Sequence, residues 1–317
     1  MTDPSLGQSF AVFRWILGTY LGIHFAHLLP WGTEVFSRDG IIPEAGWNLT
    51  RALFPSPLNS ADSPTTVTLM LVIGMVSGFA LALGWKRRLA AFVAWYVWTC
   101  LFHRNNLISN PAMPYIGLAL LLTVLVPLGE GLVWNVKKGM LSVTGKDWAM
   151  PKWVPRAMAL LLAAGYSFSG WTKLTSPSWL DGSALERLME NPLARCGIPR
   201  DLMLSLPEVF LHGATWSVLI LELASLPLWL WRPARFWLWL AWAGMHAGIL
   251  LVCDFADLTL GMLIAQALVW DPRWLNPSRF RNGESRCLSE DEPHQALGSR
   301  ACNAGLGFLS GARRTRR

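Results

Sequence analysis

The chain is predicted to be all-α: a polytopic transmembrane helical bundle of about eight spans, with both termini cytoplasmic. Three observations predict it. Apolar residues make up 53% of the 317 residues against 15% charged, 19 residues are Trp, and the apolar stretches are continuous rather than alternating. A transmembrane barrel needs segments of about ten residues with alternating polarity, and runs of Leu, Ala and Trp exclude that pattern.

Six runs are long enough to cross roughly 30 Å of hydrocarbon at about 1.5 Å per residue: 10–31, 67–85, 113–133, 154–174, 209–231 and 236–252. Two shorter runs, 89–102 and 255–270, are either upright or re-entrant by length. Loop charge favours upright. With a cytoplasmic N-terminus and eight crossings, Lys86, Arg87, Arg88, Lys137, Lys138, Lys146, Lys152, Arg156, Arg232 and Arg235 all fall inside, and Asp254 and Asp257 fall outside. If 89–102 did not cross, the 137–156 cluster would move to the outer face, against that bias.

Residues 1–272 form the expected membrane domain. From 273 onward Arg, Ser, Glu and Gly mix without apolar periodicity and close on Arg313, Arg314, Arg316 and Arg317, so 273–317 reads as a basic, disordered cytoplasmic tail. The net charge of +7 fits contact with anionic lipid headgroups better than nucleic acid. The first ten residues lack a basic leader and the first run ends at Pro30 and Trp31, so that run is expected to stay in the mature protein.

Polar groups inside or beside the spans are the candidates for function, since an ionisable side chain in hydrocarbon is costly and faces a partner or a cavity. Arg14, His24 and His27 lie in the first run, and the i, i+3 histidines share a helical face near its outer end. Interfacial placement beside Trp31 accounts for them better than a ligand role does. The turn His103, Arg104, Asn105, Asn106 either lines a polar pocket or satisfies its own backbone. Glu222 stands in the sixth of the eight runs, 209–231, and needs a partner or a proton; Arg14 is one possible partner. His246 is an intramembrane imidazole whose helix leads toward the outer face. The cysteines, at 100, 196, 253, 287 and 302, show no metal-ligand spacing, and a Cys196–Cys253 disulfide is left open.

Lys173 is the leading candidate. It emerges from an apolar run into Trp179, Leu180, Asp181 and Gly182, and a cation there is either snorkelling to the headgroups or working in a site. Gly170, Trp171, Thr172, Lys173 and Leu174, then Trp179 to Gly182, then His246 and the Leu260, Gly261, Met262 triplet, resemble the HTTM (horizontally transferred transmembrane) family over residues 10 to 272. That family includes vitamin K-dependent gamma-carboxylase and many bacterial membrane proteins.

The resemblance implies that Lys173 is a base acting on a lipid-soluble quinol, a quinone being the implied cofactor, with Arg104, Asn105, Asn106, Trp179, Asp181 and His246 around the substrate. Burial in an apolar pocket disfavours the charged form of a lysine, which is the physical ground for such a base. Two departures stand out. The carboxylase has a histidine after a paired asparagine, whereas Leu107 follows Asn106 here, and it has a large luminal C-terminal region where this chain has a short basic tail. Three classes follow: a carboxylase-like or quinol-dependent membrane enzyme, a non-catalytic accessory for maturation of a secreted peptide client, or a small-molecule transporter. The absence of visible inverted repeats disfavours the last. The family also implies a bacterial inner-membrane location.

Overall fold

The computed structural model describes residues 4–44, 53–135, 140–142, 148 and 150–275. Among them the chain forms α1 (Pro4–Leu28), α2 (Gly32–Phe36), α3 (Pro64–Ala82), α4 (Arg87–Arg104), α5 (Ala112–Leu125), α6 (Trp153–Lys173), α7 (Pro177–Leu180), α8 (Ala184–Glu190), α9 (Ile198–Leu204), α10 (Glu208–Leu230), α11 (Arg235–Val252) and α12 (Ala256–Val269). Each of the eight apolar runs overlaps one of the eight longer helices, but the run 113–133 outlasts α5, which ends at Leu125, and reaches the strand that starts at Val133. Residues 276–317, with Cys287 and Cys302, and the lysines at 137, 138 and 146 lie outside the described residues.

One feature departs from the all-helical expectation. Val133–Asn135 pairs antiparallel with Met140–Ser142, Trp134 facing Leu141. The chain has left the α5 helix at Pro127, and a short reversed pairing is the local way to satisfy backbone N–H and C=O groups.

Among the described residues, three helices are long and apolar enough to cross a membrane: Pro64–Ala82, Glu208–Leu230 and Arg232–Val252. The apolar helices α5 and α12 have 14 residues each, about 21 Å at 1.5 Å per residue. Large apolar side chains face outward along the bundle, among them Leu69, Val76, Phe79, Phe168, Trp171, Ile220, Trp237 and Leu251. Such an outer surface suits lipid rather than water.

The helix ends follow local rules. Ser63 caps α3 by accepting from the Thr66 N–H at 3.3 Å, with Pro64 in the first turn. Just past its other end Gly84 takes φ +71°, a conformation that glycine adopts without a steric penalty. The last carbonyls of α3 and α5 have no helical partner and are capped by buried arginines. Arg14 donates to the carbonyls of Leu81 (2.7 Å) and Ala82 (2.5 Å), and also to Leu132 (2.8 Å). Arg87 donates to the carbonyls of Thr123, Val126 (2.7 Å) and Pro127 (2.8 Å). Glu130 lies between them, 2.7 Å from Nε of Arg87 and 3.5 Å from Nε of Arg14. Arg14 therefore does not reach Glu222, as the sequence reading allowed; the C-terminus of α3 and Glu130 hold it instead.

α1 and α3 cross through glycines spaced four apart on both helices, Gly18 and Gly22 on one and Gly74 and Gly78 on the other. A Cβ on Gly18 would strike the Ala82 and Gly78 backbones, and one on Gly78 would come within 2.5 Å of the Gly22 nitrogen. Small residues at this spacing let helix backbones approach in a membrane, where dispersion contacts rather than the hydrophobic effect hold helices together. Gly78→Ala is expected to lower stability by about 1–3 kcal/mol through overpacking. Thermal melting of the detergent-solubilised protein checks this, with Gly213→Ala as the silent control, because nothing lies within 4 Å of a Cβ there.

Cys100, Cys196 and Cys253 are free, so the Cys196–Cys253 disulfide left open by the sequence is not formed. Cys196 is exposed whereas Cys253 is buried, its backbone bridged to Ala194.

Candidate functional site

The packing of α6 on α10 begins with a proline. Pro227 sits inside α10 and has no N–H, so the carbonyl of Leu223 four residues earlier loses its helical bond. The hydroxyl of Ser167 on α6 lies 3.2 Å from that carbonyl and from that of Glu222, and Ser167 Oγ also accepts from the Leu226 N–H at 2.9 Å. A neighbouring helix thus satisfies the groups a membrane proline frees. One turn on, Gly170 leaves room for α10: a Cβ there would lie 2.8 Å from the Leu223 nitrogen and 3.0 Å from the Cβ of Glu222. The close approach carries the Glu222 side chain past α6 toward the next turn.

There it meets Lys173. The ammonium donates to both carboxylate oxygens of Glu222 and to Ser169 Oγ at 3.1 Å, one turn earlier on the same face. It also lies 4.6 Å from the centre of the Trp179 ring, which α7 carries over it. The Lys173 side chain is 22% exposed and that of Glu222 only 7%. The pair is therefore shielded on the Glu222 side and open on the other. Glu222 stands fourteen residues, about 21 Å, along α10 from Glu208. Lys173 is thus well below the start of α10. Above this level α10 is bonded to the α7 and α8 segments, with Trp216 Nε1 donating to the Leu180 carbonyl and the Leu185 N–H to Thr215 Oγ1, both at 3.2 Å.

Two turns below Lys173 on α6 is a second polar group. The Tyr166 hydroxyl accepts from Gln266 Nε2 at 3.0 Å and lies 2.7 Å from Nε2 of His246. Since its oxygen already accepts from Gln266, its proton points to His246, which places the imidazole proton on Nδ1. That Nδ1 is buried with no hydrogen-bond partner. Trp242 stacks on Tyr166 at 4.8 Å and donates to Ser225 Oγ at 2.9 Å, tying α11 to α10.

The structure thus gathers Lys173 and Trp179 and adds Glu222 and Ser169. His246 is bonded within the Tyr166 group rather than to Lys173. Arg104 and Asn105 are turned elsewhere: Arg104 donates to the Ile42 carbonyl (2.6 Å) and Asp62 (3.0 Å), and Asn105 to the Val35 carbonyl (2.8 Å). Asn106 is exposed. Asp181 is exposed and closes a turn, accepting from the Ser183 N–H at 2.8 Å and hydroxyl at 2.7 Å. These bonds from Ser183 hold its carboxyl below the usual carboxylate range.

Sequence reasoning did not single out Ser169, Tyr166 or Gln266. Their signals were present: Ser169 and Tyr166 precede Lys173 by four and seven residues, which is one helical face, and Gln266 is a lone amide in an apolar run.

The first histidine pair also divides. His27 is exposed, while His24 is buried and its Nδ1 lies 3.1 Å from Asp257. The two imidazoles do not form a joint ligand set, and among the described residues no group of three metal-ligating side chains occurs.

The HTTM domain model matches residues 7–274 of this chain. No curated protein and no solved structure matches it.

Proposed function

Since the chain belongs to the HTTM domain family and is an integral membrane protein, we propose that it is a multi-pass bacterial inner-membrane enzyme whose Lys173–Glu222 pair handles a proton of a lipid-soluble substrate. A quinol is the substrate class favoured by the family. The observation that carries this reading is the one-sided exposure of the pair: Glu222 is closed off, Lys173 is open, and Trp179 offers an aromatic face beside the open side.

The chemistry is simple. A substrate hydroxyl approaching Lys173 loses its proton to the pair: the O–H bond breaks, the carboxylate of Glu222 gains the proton through Lys173, and the remaining ammonium stabilises the substrate oxyanion. Lys173 is the residue that faces substrate, and Glu222 both holds it in place and takes up the proton. Ser169 fixes the rotamer through its 3.1 Å bond.

Eight crossings with cytoplasmic termini support an outward-facing site. Arg87, Arg232 and Arg235 stand at one end of their helices, and Asp254 and Asp257 follow the opposite end of α11. On this reading the bundle opens toward the periplasm above α7 and α8.

The test is turnover of a lipid-soluble quinol by the full-length protein in liposomes, with bound lipids extracted and identified. Lys173→Ala is expected to lower kcat by about 10²–10⁴-fold, the range of a lost proton-transfer group, while the melting profile confirms a folded variant. Undiminished turnover in a folded Lys173→Ala protein overturns the reading and leaves the bundle as a non-catalytic accessory for a secreted peptide.

A further inference from the structure

The short helix α9 turns apolar side chains away from the bundle. Ile198 is 83% exposed and Leu202 is 61% exposed, and one helical turn separates them, so they share a face. Arg200 and Met203, on the opposite face, are half-buried. Arg200 Nε donates to the Met189 carbonyl of α8 at 2.6 Å, which holds that inner face against the protein. Ile198 and Leu202 therefore point outward because the helix is fixed that way round. Leu206, Val209 and Phe210 are exposed as well and extend the patch into the first turn of α10.

Two membrane-crossing helices set the level at which α9 lies. Glu208–Leu230 has 23 residues and Arg232–Val252 has 21, about 34 and 31 Å, each close to the roughly 30 Å of hydrocarbon. They are joined to each other at Arg232–Ala234, so their far ends, Glu208 and Val252, both come to the opposite hydrocarbon boundary. The chain that carries α9 is fastened to both of these ends. The Arg195 N–H donates to the Val252 carbonyl at 2.8 Å, and the Asp254 N–H donates to the Leu193 carbonyl at 2.7 Å. On the other side only three residues separate α9 from α10, a reach of at most about 14 Å over four Cα steps.

The patch also continues an existing lipid-facing surface. Val209, Trp216 and Ile220, spaced by seven and four residues along α10, share one face of that helix and are all exposed. The charges from 193 to 208 are Arg195, Arg200, Asp201 and Glu208, two of each sign. A segment without net charge has no electrostatic preference for an acidic or a basic partner, so apolar burial drives its contact.

We propose that α9 is an interfacial helix, with Ile198 and Leu202 inserted among the acyl chains just beneath the headgroups of the leaflet at this end of the bundle. Leu206, Val209 and Phe210 carry the contact down into the hydrocarbon. The partner is the lipid surface itself, and the flanking charges reach up to the headgroups.

The test measures depth in the bilayer and uses no residue of the Lys173–Glu222 pair, so its failure leaves the quinol reading standing. Full-length protein with Cys196, Cys287 and Cys302 replaced by serine keeps the buried Cys100 and Cys253. Nitroxide labels are placed at Ile198→Cys, Leu202→Cys and, as a reference within the span, Ile220→Cys. In phosphatidylcholine nanodiscs, spin relaxation is compared for oxygen, which concentrates in lipid, and for a nickel chelate, which stays in water. The ratio of oxygen to nickel effects is expected to exceed one at 198 and 202 and to be larger still at 220. A ratio below one at either α9 position means that the helix faces water, and exclusion of both relaxants means that protein covers it; each overturns the proposal. A ratio as high as that at 220 also overturns it, because α9 would then lie within the hydrocarbon. Should the serine background fail to fold, wild-type protein is cross-linked to a phosphatidylcholine carrying a diazirine near the head of one acyl chain. Mass spectrometry is then expected to find lipid tags within 198–210, and a 198–204 segment without tags overturns the proposal.

Discussion

Glu130→Ala is expected to cost about 3–5 kcal/mol of stability, the largest single effect in the molecule. The carboxylate is 1% exposed and lies between two guanidinium groups, Arg14 and Arg87, that are 0% and 1% exposed. Removing one member of a buried ionic cluster leaves uncompensated charge in a low dielectric, which is worse than never having buried the cluster. Here two like charges would remain, facing the carbonyl dipoles of Leu81, Ala82 and Leu132 on one side and Thr123, Val126 and Pro127 on the other. Most of those carbonyls lie at or just past the ends of α3 and α5, so the damage reaches two helix termini at once. Glu130→Gln keeps the volume but not the charge and is expected to fall close to the alanine variant. Thermal melting of the purified protein in detergent checks both, and a wild-type profile for Glu130→Gln would show that the carbonyls alone satisfy the arginines.

The second large effect is asymmetric. Lys173→Ala strands the Glu222 carboxylate, whose side chain is 7% exposed, whereas Glu222→Ala leaves an ammonium that is already 22% exposed and sits on a flexible stem. The lysine deletion is expected to cost about 3 kcal/mol, at the lower end for a broken buried pair because one partner is partly solvated. The glutamate deletion is expected to cost less. The double variant should be more stable than the sum of the singles predicts, with a coupling of about 1–3 kcal/mol. Melting of the four proteins of this cycle measures that coupling, and simple additivity would mean that the two groups do not sense each other.

The same pair shows where the reach of sequence reasoning ends. Lys173 was identifiable because a cation at the end of an apolar run is conspicuous, and Glu222 because a carboxylate inside one is. Their partnership was not identifiable. It depends on Pro227 freeing a carbonyl, Ser167 accepting the task of binding it, and Gly170 letting two backbones close. The glycines of α1 and α3 are a different case. Their four-residue spacing is plain in the sequence, yet nothing in one chain says that Gly18 and Gly78 face each other.

Arg104 and Asn105 illustrate the converse. A cation and amides in a turn between two apolar runs read equally as a polar pocket or as a turn satisfying itself, and the structure turns Arg104 onto Ile42 and Asp62 and Asn105 onto Val35. Residue type signals that a polar group needs a partner. It does not say whether that partner is ligand or protein.

The residue content and the apolar runs by themselves determined a helical membrane protein and where each of its longer helices falls, though not that the run 113–133 leaves the helix after Leu125. Hydrocarbon leaves backbone groups no partner but their own helix, so apolar runs there become helices. Tertiary structure alone decided the pairings: Arg14 and Arg87 with Glu130, Lys173 with Glu222, Tyr166 with His246, His24 with Asp257. Charge attraction is indifferent to sequence distance, and which buried ions meet is settled by the height and rotation of each helix against its neighbours.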